Sequence, residues 1–452
     1  MDIVKEAIAQ LRVKRDKAAR NRAYYDGNQE RAYLGDDESN PIIEKAKYTQ
    51  ENVCALVVDT TMSRLLLSGY EPGDLNSDLN SDEATRAWDW LERTGGLKGA
   101  RAWMKSQEIT GLSAAVIVWR DGLGRIRPMF QEPEAVAHAY DAEYPDILLW
   151  VAKYWKDDKK HNLTIWTRDE VIVATAADTF AGLPDARTFA TVSVEPHSFG
   201  AVPAYVVEPT EGNDLTSLIP LQNALNQNIA HSILAGFYFA LPFRVFQSVW
   251  SDAIDPETGL PIPPARLGKD TAIMLQGSPP DVQDQKVYDL PGQNPEPFLK
   301  ERESLISSIA RVTRTPAHVL KTGTQMPSGE ALKTAESPYI AKIKARMELY
   351  GAAIAACGSL AVALENTLTG ESADWVRLET LWLPPESSST ESNSNIVRNL
   401  VDAGVPIDVV GMDYLGWDEE KARSISERMA IEADDRAQAA AAIFDAGVTG
   451  GI

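Results

Sequence analysis

Cysteine is scarce in this sequence: the chain of 452 residues has two, Cys54 and Cys357. They lie far apart in apolar surroundings, so a disulfide framework is not expected and a reducing, cytosolic folding compartment is the simpler interpretation. The stretch 1–22 is charged and lacks the apolar core of a secretory signal. We therefore expect both cysteines to be small buried residues rather than nucleophiles.

Long apolar runs are also lacking. No run of about 18 uncharged apolar residues occurs, so no membrane-spanning helix and no membrane partner are predicted. The stretch 215–241 comes closest, but a lipid-facing span would not tolerate its polar side chains. These are Gln222, Asn223, Asn226, Gln227, Asn228 and His231.

The motifs of the common enzyme classes are missing as well. The sequence has no Walker A phosphate-binding loop, no dinucleotide-binding glycine fingerprint and no nucleophile elbow. The histidines number five and are scattered, without the spacing of metal ligands. We therefore expect no catalytic residue, no metal and no cofactor, and we expect the chain not to be an enzyme.

Basic residues are outnumbered. There are 65 acidic and 44 basic residues, giving a net charge of -21, and 44% of residues are hydrophobic. This composition indicates a folded protein. The charge argues against a broad basic surface that wraps nucleic acid. It is compatible with a surface past which nucleic acid slides without binding tightly.

The pattern of the first 210 residues predicts an α+β fold, with helices first and a sheet after them. Apolar residues recur at helical spacing in 52–67, with Val53, Leu56, Val57, Thr60 and Leu65 on one face. The segment 69–82 has the composition of a loop. Further helices are predicted at 84–91 and 97–111. Strands are predicted at 113–119, 125–130, 148–155, 162–167, 170–176, 191–195 and 204–208.

Two long helices then bracket a β-rich excursion of about 55 residues. Capping residues at 213–218 precede Pro220, which suits the first turn of a helix that ends before Pro242. A second helix opens at Pro297 and must stop before Pro316. If the helices pack side by side, both ends of the excursion return to one place. The pattern therefore predicts a stalk with a small domain at its tip.

A third helix begins near Ser328 and is expected to run on the order of 37 residues, beyond the usual length in globular proteins. Pro338 lies inside it and predicts a kink. A strand is predicted at 375–383. After a serine-rich stretch, the C-terminal segment is predicted to be helical at 395–403, 406–414 and from 418 onward.

Four stretches carry a resemblance to a known family. They are NVCALVVD with LSGY (52–59, 67–70), GAVPA with LIPLQNALN (200–204, 218–226), TPAHVL (315–320) and PSGEALK (327–333). In this order and spacing they resemble the portal proteins of siphoviruses, in particular the Gp6-like family common in phages of actinobacteria. The likeness runs from about residue 20 to residue 385.

The resemblance implies a ring-forming fold with a wing, a stem, a clip and a crown. In this sequence it places the wing at 1–213 and 328–390, the stem helices at 214–240 and 296–314, the clip at 241–295, the tunnel loop at 315–327 and the helical crown at 391–452.

The resemblance also implies a function. The ring, a dodecamer in the family, would sit at one capsid vertex of the virion after assembly in the host cytoplasm. It would conduct double-stranded DNA during packaging and ejection, without sequence specificity. Its protein partners would be the major capsid protein, the scaffolding protein, the large terminase and then the head-tail adaptor.

Candidate site residues follow from this placement. The tunnel-loop and channel candidates are Arg311, Arg314, His318, Lys321, Thr322, Gly323, Thr324 and Gln325, with Lys300 and Arg302 on the stem. The candidates for docking of the terminase or adaptor at the clip are Arg266, Lys269 and Asp270. Two interpretations of the stem and loop cations stay open: contact with passing phosphates, or ordinary solvated charges and intersubunit ion pairs. For His318, a packed histidine is weighed against a pH sensor.

Two alternatives to the whole assignment stay open too. The chain could be another virion protein, such as a capsid or adaptor subunit, or an intracellular enzyme of unknown class. The apolar stripe of Leu221, Leu225 and Ile229 fits burial against a neighbouring subunit and fits an intrachain core equally well.

Overall fold

The computed structural model describes most of the chain, in two compact units, Met1–Pro384 and Pro385–Ile452. The first unit mixes helices with sheets, which is compatible with the predicted α+β class. The described residues are 3–35, 41–73, 79–157, 159–177, 182–209, 213–239, 243–247, 272–275, 286–290, 294–321, 329–369, 376–386, 400–401, 403, 405–415 and 421–429.

Helices open the first unit. Asn52 caps the third of them, because its side chain accepts a hydrogen bond from the backbone N–H of Ala55. Gly111 ends the fifth in the left-handed region, at φ 64°. The five helices are α1 (Ile3–Tyr25), α2 (Pro41–Tyr48), α3 (Val53–Arg64), α4 (Leu79–Arg93) and α5 (Gly96–Thr110).

Strands follow, as the β-branched segments predict. The largest sheet is an antiparallel meander with the order β4-β5-β6-β7-β8. Its strands are β4 (Val136–Tyr140), β5 (Leu148–Lys156), β6 (Lys160–Thr167), β7 (Glu170–Ala177) and β8 (Ala190–Pro196). A second sheet has the order β3-β2-β9, from β2 (Ala114–Arg120), β3 (Ile126–Gln131) and β9 (Ala204–Val207).

Helix α1 covers one face of the meander. Its apolar residues Ala7, Ile8 and Leu11 are buried against strand residues that include Trp150 and Leu163. The spacing of these three positions on α1 is that of one helical face.

The long helix α9 (Gly329–Thr369) forms the centre of the first unit. Its buried side chains pack in one core with residues from α3, α4, α5 and β2. They include Tyr339, Ile343, Met347, Tyr350, Ile354, Cys357 and Leu364. Burial also explains why residues 334–367 are long and apolar enough to cross a membrane: most of the apolar stretch lies inside the fold.

The predicted pair of long helices is present. Helix α6 (Asp214–Phe239) and helix α7 (Glu296–Thr313) flank three short strands, β10 (Phe243–Gln247), β11 (Ala272–Leu275) and β12 (Lys286–Leu290). Strand β10 pairs in parallel with β11 and antiparallel with β12, where Phe243 opposes Leu290. The chain that leaves α6 therefore lies beside the chain that enters α7.

The polar side chains of α6 have partners within the chain. Asn223 Oδ1 accepts from the Tyr24 hydroxyl at 2.7 Å, and Gln227 bonds both the N–H and the carbonyl of Tyr33. Asn226 donates to Gln29 at 2.6 Å. These amides hold the end of α1 and the segment after it against α6, which explains why this helix carries polar side chains that a lipid-facing helix would not tolerate.

The apolar stripe on α6 belongs to the core of the same chain. Leu225 is fully buried, and Leu221 and Ile229 pack against the main core. Of the two interpretations of this stripe, intrachain burial is the one that the structure shows.

Several local predictions were wrong. Part of the segment expected as a loop at 69–82 lies in strand β1 (Leu67–Pro72), which pairs antiparallel with β13 (Leu378–Trp382), and part lies in α4. Helix α6 begins at Asp214, so Pro220 lies inside it rather than in the first turn. On α3, Val53 and Val57 are buried as predicted, but Leu56 is 40% exposed, and the buried face also includes Cys54, Val58 and Met62. Helix α2 and strand β4 were not predicted at all.

The described part of the second unit contains α10 (Ile407–Leu415) and a helix at 421–429. This agrees with the helical prediction for 406–414 and, within the segment from 418 onward, for 421–429; the rest of that segment lies outside the described residues. The predicted helix at 395–403 lies mostly outside the described residues.

Candidate DNA-channel site at the end of the paired helices

Helix α7 has one buried face and one exposed face. Ile306, Ile309 and Thr313 are buried. The exposed face is centred on Lys300, Ser304, Ser307 and Arg311, which recur at helical spacing. This face therefore presents the two cations and the serine hydroxyls together with the exposed carboxylates of Glu296 and Glu303.

The end of α7 brings two predicted site residues together. Lys321 Nζ donates to Ser307 Oγ at 3.1 Å, and Arg311 donates to Ser308 Oγ at 3.3 Å. Because Ser307 lies about one turn from Arg311, both cations lie at the same end of the helix. The hydroxyl contacts are weak and exposed, so the charges remain accessible to an anion.

Arg314 has an uncommon backbone conformation. Its φ is 53°, the one positive value for a non-glycine residue among the described residues. It caps α7, with its N–H bonded to the Ala310 carbonyl, and the Thr315 N–H bonds the same oxygen at 3.0 Å. Left-handed arginine is strained, and here it ends α7 just before the short helix at 317–320.

The segment that follows starts with a one-turn helix, α8 (Ala317–Leu320), where a loop was predicted. His318 Nε2 lies 3.4 Å from Oε1 of Glu336 on α9, and Glu336 is buried. This contact ties α8 to α9.

The two stem candidates lie on opposite faces of α7. Lys300 is exposed and pairs with Glu296 at 2.7 Å, whereas Arg302 donates to Glu51 Oε2 at 2.7 Å. Arg302 therefore connects α7 to the segment before α3. One channel wall cannot contain both residues of the same chain.

The remaining candidates lie outside the described residues. They are Thr322, Gly323, Thr324 and Gln325 in the predicted tunnel loop, and Arg266, Lys269 and Asp270 in the predicted clip.

A comparison with protein families identifies the family of the chain. Residues 5–434 match the family described as phage portal protein, SPP1 Gp6-like. The chain belongs to this family. A comparison with curated proteins finds no match.

Membership settles the class of function. The chain is a phage portal subunit, a structural virion protein of the family that forms the oligomeric ring for DNA packaging. Association with capsid, terminase, adaptor and DNA, and a place at the capsid vertex, follow from the family. The family is one of structural proteins and not of enzymes.

The sequence did not predict a buried ionic group that lies next to the site. Lys342 on α9 is 4% exposed and donates to Asp214 Oδ2 at 3.0 Å and to the Thr313 carbonyl at 2.8 Å. Asp214 begins α6 and Thr313 ends α7. One ammonium group therefore holds the near ends of both long helices on the central helix.

A second buried pair lies one turn further along α9. Arg346 Nε lies 3.0 Å from Glu108 Oε1, and the Tyr350 hydroxyl donates to the same carboxyl at 2.6 Å. Burial raises the pKa of Glu108 above its ordinary value, although Arg346 and Tyr350 oppose the shift. A signal was available in the sequence, because Lys342 and Arg346 interrupt the apolar side of a core helix at (i, i+4) spacing.

Proposed function

We propose that twelve copies of the chain form the ring that is typical of this family, with α6 and α7 as the stem. In this arrangement 241–295 is the clip, 315–327 the tunnel loop, 1–213 and 328–390 the wing, and 391–452 the crown. The observation that supports it most is the closure of the stalk at both ends. Paired strands β10 and β12 close one end, and Lys342 closes the other.

The exposed face of α7 supplies the channel surface in this proposal. Lys300, Ser304, Ser307 and Arg311 would face the DNA, and Lys321 would extend the surface toward the tunnel loop. Spaced cations touch phosphates transiently, while the net charge of -21 keeps the wall as a whole from binding them. Salt limits this repulsion to about 10 Å, so residues of the wall dominate it.

The intrachain contacts of Arg302 support a different role for that residue. Its ion pair with Glu51 fixes the stem to the segment that precedes α3. We therefore assign Arg302 to structural support and keep Lys300, Arg311 and Lys321 as channel residues. Arg314 would set the direction in which the tunnel loop leaves α7.

Docking is assigned to the clip. Arg266, Lys269 and Asp270 would contact the large terminase during packaging and the head-tail adaptor afterwards. The major capsid protein and the scaffolding protein would contact the outer wing during assembly in the host cytoplasm. These partners would recognise the shape and charge of the subunit surface. The channel would conduct double-stranded DNA of any sequence.

Electron microscopy of the purified protein in negative stain, with mass photometry alongside, tests the proposal. Annular particles with a central hole and a mass about twelve times the 49.5 kDa of one chain are expected. The measurement is repeated with scaffolding protein if the chain is monomeric. Closed, compact particles under both conditions would contradict the twelve-fold ring.

A further inference from the structure

The two edges of the five-stranded meander differ in what lies against them. At the β4 edge, the side chain of Gln10 on α1 accepts from the backbone N–H of His138 at 3.2 Å and donates to its carbonyl at 2.9 Å. Lys14 donates to the carbonyl of Val136 on the same edge at 3.0 Å. Side chains of α1 therefore occupy the backbone groups that β4 would otherwise offer to another strand.

The β8 edge has no such cover among the described residues. The backbone N–H of His197 donates to the Asp169 carbonyl, and this register turns the N–H and C=O of Val194 away from β7. The side chains of Val192 and Val194 are 65% and 51% exposed. A bulge before 193 and the proline at 196 limit the regular part of this edge to the residues around Val194. That part carries no lysine to protect it from another strand.

A second free edge lies on β13. The backbone N–H of Gly73 donates to the Arg377 carbonyl, and this register turns the N–H and C=O of Leu378 and Thr380 away from β1. Pro72, which lacks an N–H, opposes Leu378 and agrees with this register. Within the described part of the chain, no other strand pairs with this side of β13.

The free edge of β13 borders a groove of about 610 Å³ between this strand and α9. The side chain of Leu378 points toward the helix, because its Cδ1 would lie 2.8 Å from a Cβ placed on Gly358. The helical wall of the groove consists largely of small side chains, which leave room for the backbone of another strand. They are Gly351, Ala352, Ala355, Ala356 and Ser359.

We propose that β8 of the neighbouring copy adds to β13 in this groove as an antiparallel strand, an inference that rests on the proposed ring. A register with Val194 opposite Leu378 brings the outward backbone groups of the two strands together. It also places both apolar side chains on the α9 face of the sheet. The same register sets Glu195 opposite Arg377, which is exposed and only 3.7 Å from Glu379 of its own chain. Opposite charges at directly paired positions favour this register.

The contact joins two different surfaces of one chain, as a ring requires. Pairing of β8 with β8 would close a two-fold dimer, whereas pairing of β8 with β13 leaves one free edge of each kind until the ring closes. The uncharged side chains of 190–194 suit a groove whose helical wall is small and largely apolar. Local charge and backbone complementarity therefore favour a second copy as the occupant.

Hydrogen exchange with residue-level fragmentation tests the contact on separated monomers and rings. The amides of Val194 and Leu378 should exchange about tenfold more slowly in the ring than in the monomer, because they gain acceptors there. The amides of Glu195 and Glu379 face β7 and β1 within the chain and should exchange equally in both samples.

An exchange of charges gives a second measurement. Glu195→Lys alone and Arg377→Glu alone should lower the yield of rings several-fold, because each places like charges opposite one another. The double variant reverses the pair and should restore the yield. Both side chains are exposed, so the circular dichroism of the monomer should stay unchanged. Arg101→Glu, an exposed change on α5, is the matched control and should leave the yield intact.

The outcomes separate this contact from the ring itself. If the wild-type protein stays monomeric even with scaffolding protein, the ring and the contact are both overturned. If rings form but the amides of Val194 and Leu378 exchange as in the monomer, the ring stands and the contact is overturned. Protection that appears only when another virion protein is added, or a double variant that fails to restore the yield, also contradicts the neighbouring copy as the occupant.

Discussion

Lys342 and Asp214 form an ion pair, with Nζ 3.0 Å from Oδ2, at the point where the stalk joins the central helix. The same ammonium group donates to the carbonyl of Thr313 at 2.8 Å. The two contacts bind the first residue of α6 and the last residue of α7 to one turn of α9. A displacement of either long helix must therefore disturb both α9 and the segment that follows Arg314.

Replacement of Lys342 by methionine should destabilise the first unit strongly. The change keeps the length of the side chain but leaves the Asp214 carboxylate and the Thr313 carbonyl without their donor in a buried setting. Breaking a buried pair from one side costs about 3–5 kcal/mol. The expected result is a clear fall in the denaturant midpoint of the monomer, followed by circular dichroism.

The exposed Lys344, two residues away on the same helix, provides the control. Lys344→Met should change the free energy of unfolding by less than about 0.5 kcal/mol. Asp214→Asn combined with Lys342→Met should cost less than the sum of the single changes, since the two groups interact directly. Additive losses would show that the pair does not act as a unit.

The stalk could be predicted because its signals are local. Two apolar helical patterns and the prolines at 242, 297 and 316 bound the helices, and strand patterns fill the excursion. The β5–β6–β7 meander was predictable for the same reason. Each of its strands pairs with the next along the chain.

Contacts between distant segments could not be predicted. Strand β1 pairs with β13 from the other end of the first unit, and Gly69 opposes Leu381 there. The pattern of 67–72 is too short and too rich in turn residues to indicate a strand by itself. Similarly, the sequence around Lys342 and Arg346 suggests ordinary solvated helix charges. Only the fold places Asp214 and Glu108 beside them.

Lys14 should make the stability of the first unit depend on pH. Its Nζ donates to the carbonyls of Ser113 and Val136, and burial lowers its pKa to about 8. In the unfolded chain its pKa is near 10.5. Between pH 8 and 10.5 the unfolded state binds more protons, so the free energy of unfolding should rise with pH by up to about 3 kcal/mol.

Comparison of the wild-type protein with Lys14→Met isolates this contribution. Chemical unfolding is measured between pH 7.5 and 9.5, on either side of the lowered pKa of about 8. The difference in the free energy of unfolding between the two proteins should change over this range. Lys17→Met changes an exposed residue on the same helix, and its free energy of unfolding should vary with pH in the same way as that of the wild type. If the difference in the free energy of unfolding between Lys14→Met and the wild type stays constant over this range, the lowered pKa of Lys14 is ruled out.

Both cysteines should be inert in the folded protein. Cys54 and Cys357 are fully buried, and burial raises the pKa of the Cys54 thiol to about 12 and that of Cys357 as well. Ellman's reagent should therefore find no reactive thiol at pH 8 until denaturant is added. Ser304→Cys, on the exposed face of α7, should react at once and serves as the positive control. A fast reaction of the wild-type protein would contradict the packing of α3 or α9.

Removal of the two cations at the end of α7 should weaken binding of DNA without affecting the ring. Arg311→Ala with Lys321→Ala takes away charges whose hydrogen bonds, among the described residues, are to Ser308 and Ser307. Rings of unchanged mass should bind a short duplex less tightly at low salt, equally for two unrelated sequences. The slope of log affinity against log salt should fall by about 1 for each phosphate that the protein no longer neutralises.

The opposite face of the same helix supplies the control for this experiment. Arg302→Ala removes one positive charge there and should leave the salt slope unchanged, although it breaks the ion pair with Glu51. The reason is that a side chain held against the segment before α3 does not reach phosphates in the channel. If Arg302→Ala lowers the slope and the Arg311 and Lys321 changes do not, the other face of α7 lines the channel.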